Sequence, residues 1–185
     1  MKSIFKKALF LSLISSALIN TSHSEELSSS KIENEKQVIT NYITNKYNIK
    51  NNDARNIVDN VYYYSKEKSL DPTLVLGMIE KESSFNKNAV GNGSIGLMQI
   101  IPKYHKPLIN NKISKNGGSL KDIDNNIDVG TSILKEKLNK YDSISRSLQH
   151  YNGNTSTSKY YKKVFHYQNN IKNKIDLIIW LNFIF

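Results

Sequence analysis

The sequence predicts a single, mainly α domain with a small β or loop element around residues 86–101. Three observations predict it. Apolar residues recur at spacings of three and four along most of the chain, and strict alternation is nearly absent. The length of 185 residues suits one hydrophobic core, because domains typically run about 100–200 residues. Gly91, Gly93 and Gly96 break the helical periodicity together, at one place in the middle of the chain.

Residues 1–24 read as a signal peptide: Lys2, Lys6 and Lys7 precede an apolar run from Ala8 to Ile19, and Ser22 and Ser24 flank a small-residue cleavage site. That run is too short for an ordinary transmembrane helix. The expectation is an exported protein. Residues 25–52 form a polar extension in which Val38, Ile39, Tyr42, Ile43 and Tyr47 mark a first helix. A second helix, with Asp53 as its expected cap, carries Ile57, Val58, Val61, Tyr62 and Tyr64. Asp71-Pro72 is a strong start for a third, because Asp accepts from the orphan amides of the first turn and Pro suits the first helical position. That helix is expected to run to about Ser83. Gly117-Gly118 lies in a second loop. Further helices are marked by Ile127, Gly130, Ile133, Leu134, Leu138 and Tyr141, then by Ile144, Leu148 and Tyr151, and finally by a Tyr-rich stretch to about Gln168, after a polar loop at Thr155–Ser158. The domain is taken as residues 53–170, with an apolar tail over 171–185.

Composition excludes several chemistries. The chain has no Cys, so disulfides, thiolate zinc sites and Cys nucleophiles are ruled out. His23, His105, His150 and His166 show no metal-binding spacing, so neither metal nor cofactor is expected. Without the first 24 residues, 23 basic residues face 16 acidic ones. Such a surface is drawn to polyanions by attraction that salt screens. Export, and the presence of just two arginines, Arg55 and Arg146, disfavour nucleic acid as that polyanion.

Two acids compete in the third helix. With Val75 at zero and about 100° per residue, Leu74, Met78, Ile79 and Leu76 centre the apolar face near zero. Glu82 falls at about 340°, on that face, and Glu80 at about 140°, at its edge towards solvent. A carboxyl held against apolar side chains has a raised pKa, which suits a general acid near neutral pH. A helix-end Glu that reaches water or pairs with a Lys is the plainer alternative.

The segment from Asp71-Pro72 through Glu82-Ser83-Ser84-Phe85-Asn86, then Ala89-Val90, Gly96-Leu97-Met98-Gln99 and Pro102, resembles the lytic transglycosylases of bacterial cell walls. So do Asn126-Ile127 with Gly130 and Leu134, Tyr151-Asn152-Gly153, Tyr160 and Val164. The resemblance covers about residues 53–168 and implies a lysozyme-like domain. It implies Glu82 as the sole catalytic acid, with Ser83, Met98 and Gln99 lining the sugar groove. By the same resemblance, Tyr151 and Asn152 sit near the acid, where a phenol can orient the carboxyl. Gly91 stands where the family often has Ser, and Asn154-Thr155-Ser156 replaces a further Gly or Pro-Gly.

The implied reaction cleaves the bond between N-acetylmuramic acid and N-acetylglucosamine without water, leaving 1,6-anhydromuramyl ends. Hydrolytic glycosidases usually use two carboxylates; here the resemblance supplies one, and Asp122, Asp124 and Asp128 match no position for a second. The alternatives are a muramidase on the same fold and a noncatalytic wall-binding component of an export machine. Expected partners are peptidoglycan glycan strands, with a secretion or conjugation apparatus left open and the protein acting as a monomer in the periplasm or wall. The tail Ile175–Phe185 has nine apolar residues of eleven. It packs as a last core helix or contacts a membrane surface.

Overall fold

The computed structural model describes residues 26–113, 117–153 and 159–184, with the backbone alone at 179 and 181–184. The expected signal peptide and the polar loop at Thr155–Ser158 lie outside the described residues. Contacts divide the chain into two units, Met1–Gln37 and Val38–Phe185. Within the first, residues 26–37 are helical and mostly exposed.

In the second unit the architecture is the expected mainly helical, lysozyme-like class. The helices are α1 (26–47, of which 38–47 belong here), α2 (Asn51–Lys68), α3 (Pro72–Ser83), α4 (Pro102–Ile113), α5 (Ile123–Lys140), α6 (Ile144–Tyr151) and α7 (Tyr160–Ile184). A two-stranded antiparallel ribbon, β1 (Val90–Gly91) and β2 (Ser94–Ile95), interrupts them. Its connection is Asn92-Gly93, both at positive φ, the two-residue turn whose twist matches a hairpin.

Helix α3 is the centre of the fold. Every residue from Thr73 to Glu80 is buried, as expected of a helix enclosed on all sides. Its start is fixed as the sequence predicts: Asp71 Oδ1 accepts from the Thr73 amide at 2.8 Å and from its hydroxyl at 2.6 Å, with Pro72 at the first position. The other oxygen, Oδ2, accepts from Gln168 Nε2 at 2.9 Å and Lys172 Nζ at 3.0 Å. One side chain thus caps α3 and clamps α7 to it. The two helices cross at Gly77, where a Cβ would stand 2.9 Å from the Val164 carbonyl oxygen and from the Gln168 amide nitrogen.

Several elements depart from expectation. Helix α2 begins at Asn51 and its N-cap is Lys50, with no side-chain cap bond. Asp53 instead lies in the first turn, where a negative charge complements the helix dipole, and pairs with Lys87 at 2.8 Å. Helix α4 is absent from the periodicity reading because Pro102 and Pro107 mask it. It bends at His105, whose backbone is not helical. Helix α7 runs past Gln168 to Ile184, because Ile171 and Ile175 still reach the core. Leu177, Ile178 and Trp180 are exposed, Trp180 by 60%. Among the described residues no helix is long and apolar enough to cross a membrane.

Gly→Ala inside a helix ordinarily stabilises by about 1 kcal/mol. At Gly77 the added methyl meets two backbone atoms of α7 that cannot swing aside, so Gly77→Ala is expected to destabilise by about 1–3 kcal/mol. Thermal unfolding checks this; an unchanged or higher Tm would show that the crossing has slack.

Candidate functional site

The last turn of α3 and the turn that follows build the site. The helix stops at Ser84, which is left-handed at φ 50° with its amide bonded to the Glu80 carbonyl, and Phe85 follows at φ 61°. Two successive non-glycine residues at positive φ are strained by about 1–2 kcal/mol each. Burial of Phe85 against Tyr47, ring centroids 5.4 Å apart, holds them there. The strain is thus anchored immediately after Glu82-Ser83.

Glu80 and Glu82 meet different environments, and one differs from the sequence expectation. Glu80 does not face solvent: it is 2% exposed. Its Oε1 accepts from the hydroxyls of Tyr42 at 2.8 Å and Tyr47 at 2.5 Å and from Lys46 Nζ at 2.9 Å. The helical wheel of α3 missed this because α1 covers that edge of α3. Burial and the bond each makes to Glu80 push both phenol pKa values up, so both stay donors. Glu80 is a structural anchor between α1 and α3.

Glu82 is half-buried. Burial raises its pKa above the ordinary 4.5, against the opposing effects of the approaching Tyr160 hydroxyl and of the Lys81 charge. Tyr151 and Tyr160 both feel the Glu82 charge, which adds to burial in holding their phenols well above 10.0. One acid therefore stands between two phenols on a low-dielectric side. Tyr151 donates its hydroxyl to the Met98 carbonyl at 3.0 Å, a bond that orients the loop rather than the carboxyl.

The remaining expected residues divide. Ser83 is half-exposed and its hydroxyl donates to the Ile79 carbonyl at 3.1 Å. Met98 is fully buried, packed where a Cβ on Gly130 of α5 would run into its side chain. Its side chain fills the narrow gap over Gly130 and forms part of the core. Gln99 is left-handed at φ 47°. Its amide donates to the Gly96 carbonyl at 2.8 Å and the Ala89 carbonyl at 3.2 Å, and its Oε1 accepts from Ser94 at 2.5 Å. Gln99, Tyr151 and Asn152 do come together, in a cleft of about 230 Å³ that Tyr104, His105 and His150 also line. Burial, then the Lys137 charge, lowers the His105 pKa.

Sequence reasoning assigned no role to Asn126, which is 1% exposed. Its Oδ1 accepts from the Met98 amide at 2.8 Å, and its Nδ2 donates to the carbonyls of Leu120 at 2.6 Å and Ile95 at 3.0 Å. Gly96, at φ +80°, has to lack a side chain because a Cβ would overlap that amide. A lone polar residue on an otherwise apolar helical face was the available signal. Among the described residues no group of three or more His, Asp or Glu is placed to hold a metal ion.

Residues 59–174 match the transglycosylase SLT domain family. The chain is 32% identical over 116 residues to "Transglycosylase" of Enterobacteria phage PRD1, a match over 62% of this chain and 41% of the relative. It is 35% identical over 104 residues to "Membrane-bound lytic murein transglycosylase C" of Actinobacillus succinogenes, over 54% of this chain and 28% of the relative. The match thus spans less than half the length of either curated relative.

The two glutamates are expected to behave oppositely in stability. Glu80→Gln leaves Lys46 without its carboxylate and is expected to cost about 1–3 kcal/mol, a range kept low because the Lys46 side chain is 41% exposed and reaches water. For Glu82 the raised pKa means that the folded state favours the protonated form. That contribution is present below 4.5 and is lost as pH rises through the folded-state value. Glu82→Gln, a fixed neutral mimic, is therefore expected to match the wild type at low pH and to exceed its stability above that value. Urea unfolding across pH measures both; a Glu82→Gln protein less stable than wild type at neutral pH would contradict the assignment of burial as the dominant cause.

Proposed function

The chain belongs to the transglycosylase SLT domain family, and from that membership and the geometry at α3 we propose that it is a peptidoglycan lytic transglycosylase with Glu82 as its single catalytic acid. The supporting observation is the contrast between Glu82 and the acids Glu80, Asp122, Asp124 and Asp128. Glu80 is tied to Lys46 and two tyrosines. Asp122 accepts from the Ser119 amide at 2.6 Å, Asp124 from Tyr64 at 2.8 Å, and Asp128 from Lys68 and Lys112, each at 2.9 Å. These acids serve the fold, which leaves Glu82 for chemistry.

The mechanism follows from one carboxyl. Protonated Glu82 donates to the glycosidic oxygen between N-acetylmuramic acid and N-acetylglucosamine as the bond to muramyl C1 breaks. The muramyl acetamido group stabilises the cation that forms. Ionised Glu82 then removes the proton of the C6 hydroxyl, and O6 closes on C1. Glu82 ends as it began, and no water enters. An intramolecular hydroxyl has an effective concentration on the order of 10⁵ M when well oriented, so ring closure outruns hydrolysis. Tyr160 and Tyr151 position the acid and the adjacent loop, while Gln99 and Asn152 offer polar groups to the sugar from the cleft they share.

The name of the Actinobacillus succinogenes relative specifies murein and the membrane. We place this protein's work on exported peptidoglycan strands in the periplasm or wall, as a monomer, with a secretion or conjugation apparatus as its proposed setting. Leu177, Ile178 and Trp180 form an exposed apolar patch near the end of α7, and Lys172 and Lys174 lie close in sequence; together they suit contact with an anionic membrane surface. Replacing these three apolar residues by Gln is expected to lower recovery on anionic vesicles in flotation while leaving the fold intact, and unchanged recovery would remove the membrane proposal.

Activity gives the main test. General acid catalysis contributes about a hundredfold to ten-thousandfold, so Glu82→Gln should lower turnover on purified sacculi at least that far. The wild-type kcat/KM should fall on the alkaline side with a midpoint above 4.5, since the acid works protonated and its pKa is raised. Mass spectrometry of the products should show muropeptides one water lighter than hydrolysed ends; a set dominated by reducing muramic acid would establish a muramidase instead. No turnover at all would favour a wall-binding component.

A further inference from the structure

Tyr47 of α1 touches α3 and the turn beyond it at two points. Its hydroxyl donates to Glu80 Oε1 at 2.5 Å, and its ring packs on Phe85 with centroids 5.4 Å apart and planes inclined by 51°. Residues 82 and 83 lie between those two points in the chain. Glu80 and Glu82 project about 200° apart around the helix, so Tyr47 reaches the acid through the backbone between its contacts. One half-buried side chain thus grips the segment on both sides of Glu82-Ser83.

That segment does not hold its own shape. Ser84 and Phe85 are both left-handed, a conformation that persists in non-glycine residues where the surroundings over-determine it. The local bonds, from the Ser84 amide to the Glu80 carbonyl at 3.2 Å and from the Asn86 amide to the Ser83 carbonyl at 3.0 Å, join the segment to itself. The Glu80 carboxylate and the Phe85 ring join it to α1. Tyr47 is in turn held at the end of α1, where Asn48 at φ 54° turns the chain towards α2. The Tyr42 ring meets it edge-on at 6.4 Å, and Lys46 Nζ lies 5.1 Å from its centroid.

We propose that Tyr47 is a positioning residue for the reaction at Glu82: by holding Glu80 and Phe85 together, it keeps Glu82-Ser83 in the geometry that the transition state requires. This rests on the transglycosylase reading for its reaction. Tyr47 precedes residues 59–174, the span that matches the family, so the family match does not supply the role. The lever is sensitive, because a displacement of about 1 Å from a change remote from the chemistry can cost about a hundredfold in rate.

Two variants of the full chain, assayed on purified sacculi, test the proposal. Tyr47→Leu removes ring and hydroxyl together. Its kcat is expected to fall by about tenfold to a hundredfold with KM within about twofold, because alignment needed in the transition state is lost while ground-state binding is kept. The alkaline midpoint of kcat/KM should also move down towards 4.5, since a loosened turn admits water to a carboxyl that burial keeps protonated. Tyr47→Phe keeps the ring on Phe85, and Tyr42 and Lys46 stay on Glu80, so it should recover most of the kcat and the wild-type midpoint. A Tyr47→Leu protein with wild-type kcat and midpoint, or one whose activity falls only by the fraction unfolded in its thermal melt, would overturn the proposal. Amide hydrogen exchange in Tyr47→Phe gives a second readout that needs neither substrate nor a folded Tyr47→Leu protein. The Ser84 amide should exchange about threefold faster or more than in wild type, while those of Leu76 and Met78 keep their rates; unchanged Ser84 exchange would also overturn the proposal. If wild type cleaves no glycan, the transglycosylase reading fails, and Ser84 exchange still decides whether Tyr47 holds the turn.

Discussion

A helix enclosed on all sides cannot carry a charge without an answer to it, and most of this structure arranges the answers for α3. Its burial is continuous from Thr73 to Glu80. The tight crossing at Gly77 brings α7 into backbone contact, and Asp71 locks the same two helices at their ends through Thr73, Gln168 and Lys172. Within that enclosure the two acids are resolved differently. Glu80 is answered by a lysine and two phenols that α1 delivers to it. Glu82 has tyrosines for neighbours, and the cost of desolvation appears as a raised pKa. The same burial that stabilises the helix thus prepares one carboxyl to hold a proton.

The loop after the ribbon is fixed with comparable economy. Asn126 satisfies three backbone groups of the segment from Ile95 to Leu120, and Gln99 satisfies three partners of its own around the ribbon. Removing either side chain would strand several buried polar groups at once. Tyr151 closes the arrangement by binding the Met98 carbonyl from α6. Positive φ at Ser84 and Phe85 places strained backbone just after Glu82-Ser83, and positive φ at Gln99 places it in the lining of the cleft, a pattern common at functional sites.

Much of this was legible in the sequence because its signals are local. Asp71-Pro72 predicted its own cap, and glycine clustering predicted the ribbon. What was not legible depends on distant partners. A helical wheel of α3 places Glu80 outward because it contains no information about α1. The seat of Met98 over Gly130 joins residues 32 positions apart in sequence. Helix α4 escaped because its prolines break the periodicity that would reveal it, and α7 ran long because Ile171 and Ile175 extend a core face past a polar stretch.

The central claim is that the enclosure of α3 keeps the Glu82 carboxyl protonated beyond the ordinary range. Carboxyl-directed ¹³C NMR, titrating the side-chain Cδ resonance assigned to Glu82 by comparison with Glu82→Gln, measures it without substrate. A midpoint above 4.5 is the predicted result. A midpoint at or below 4.5 would show that Tyr160 and Lys81 outweigh burial, and would contradict the account of how this site holds its proton.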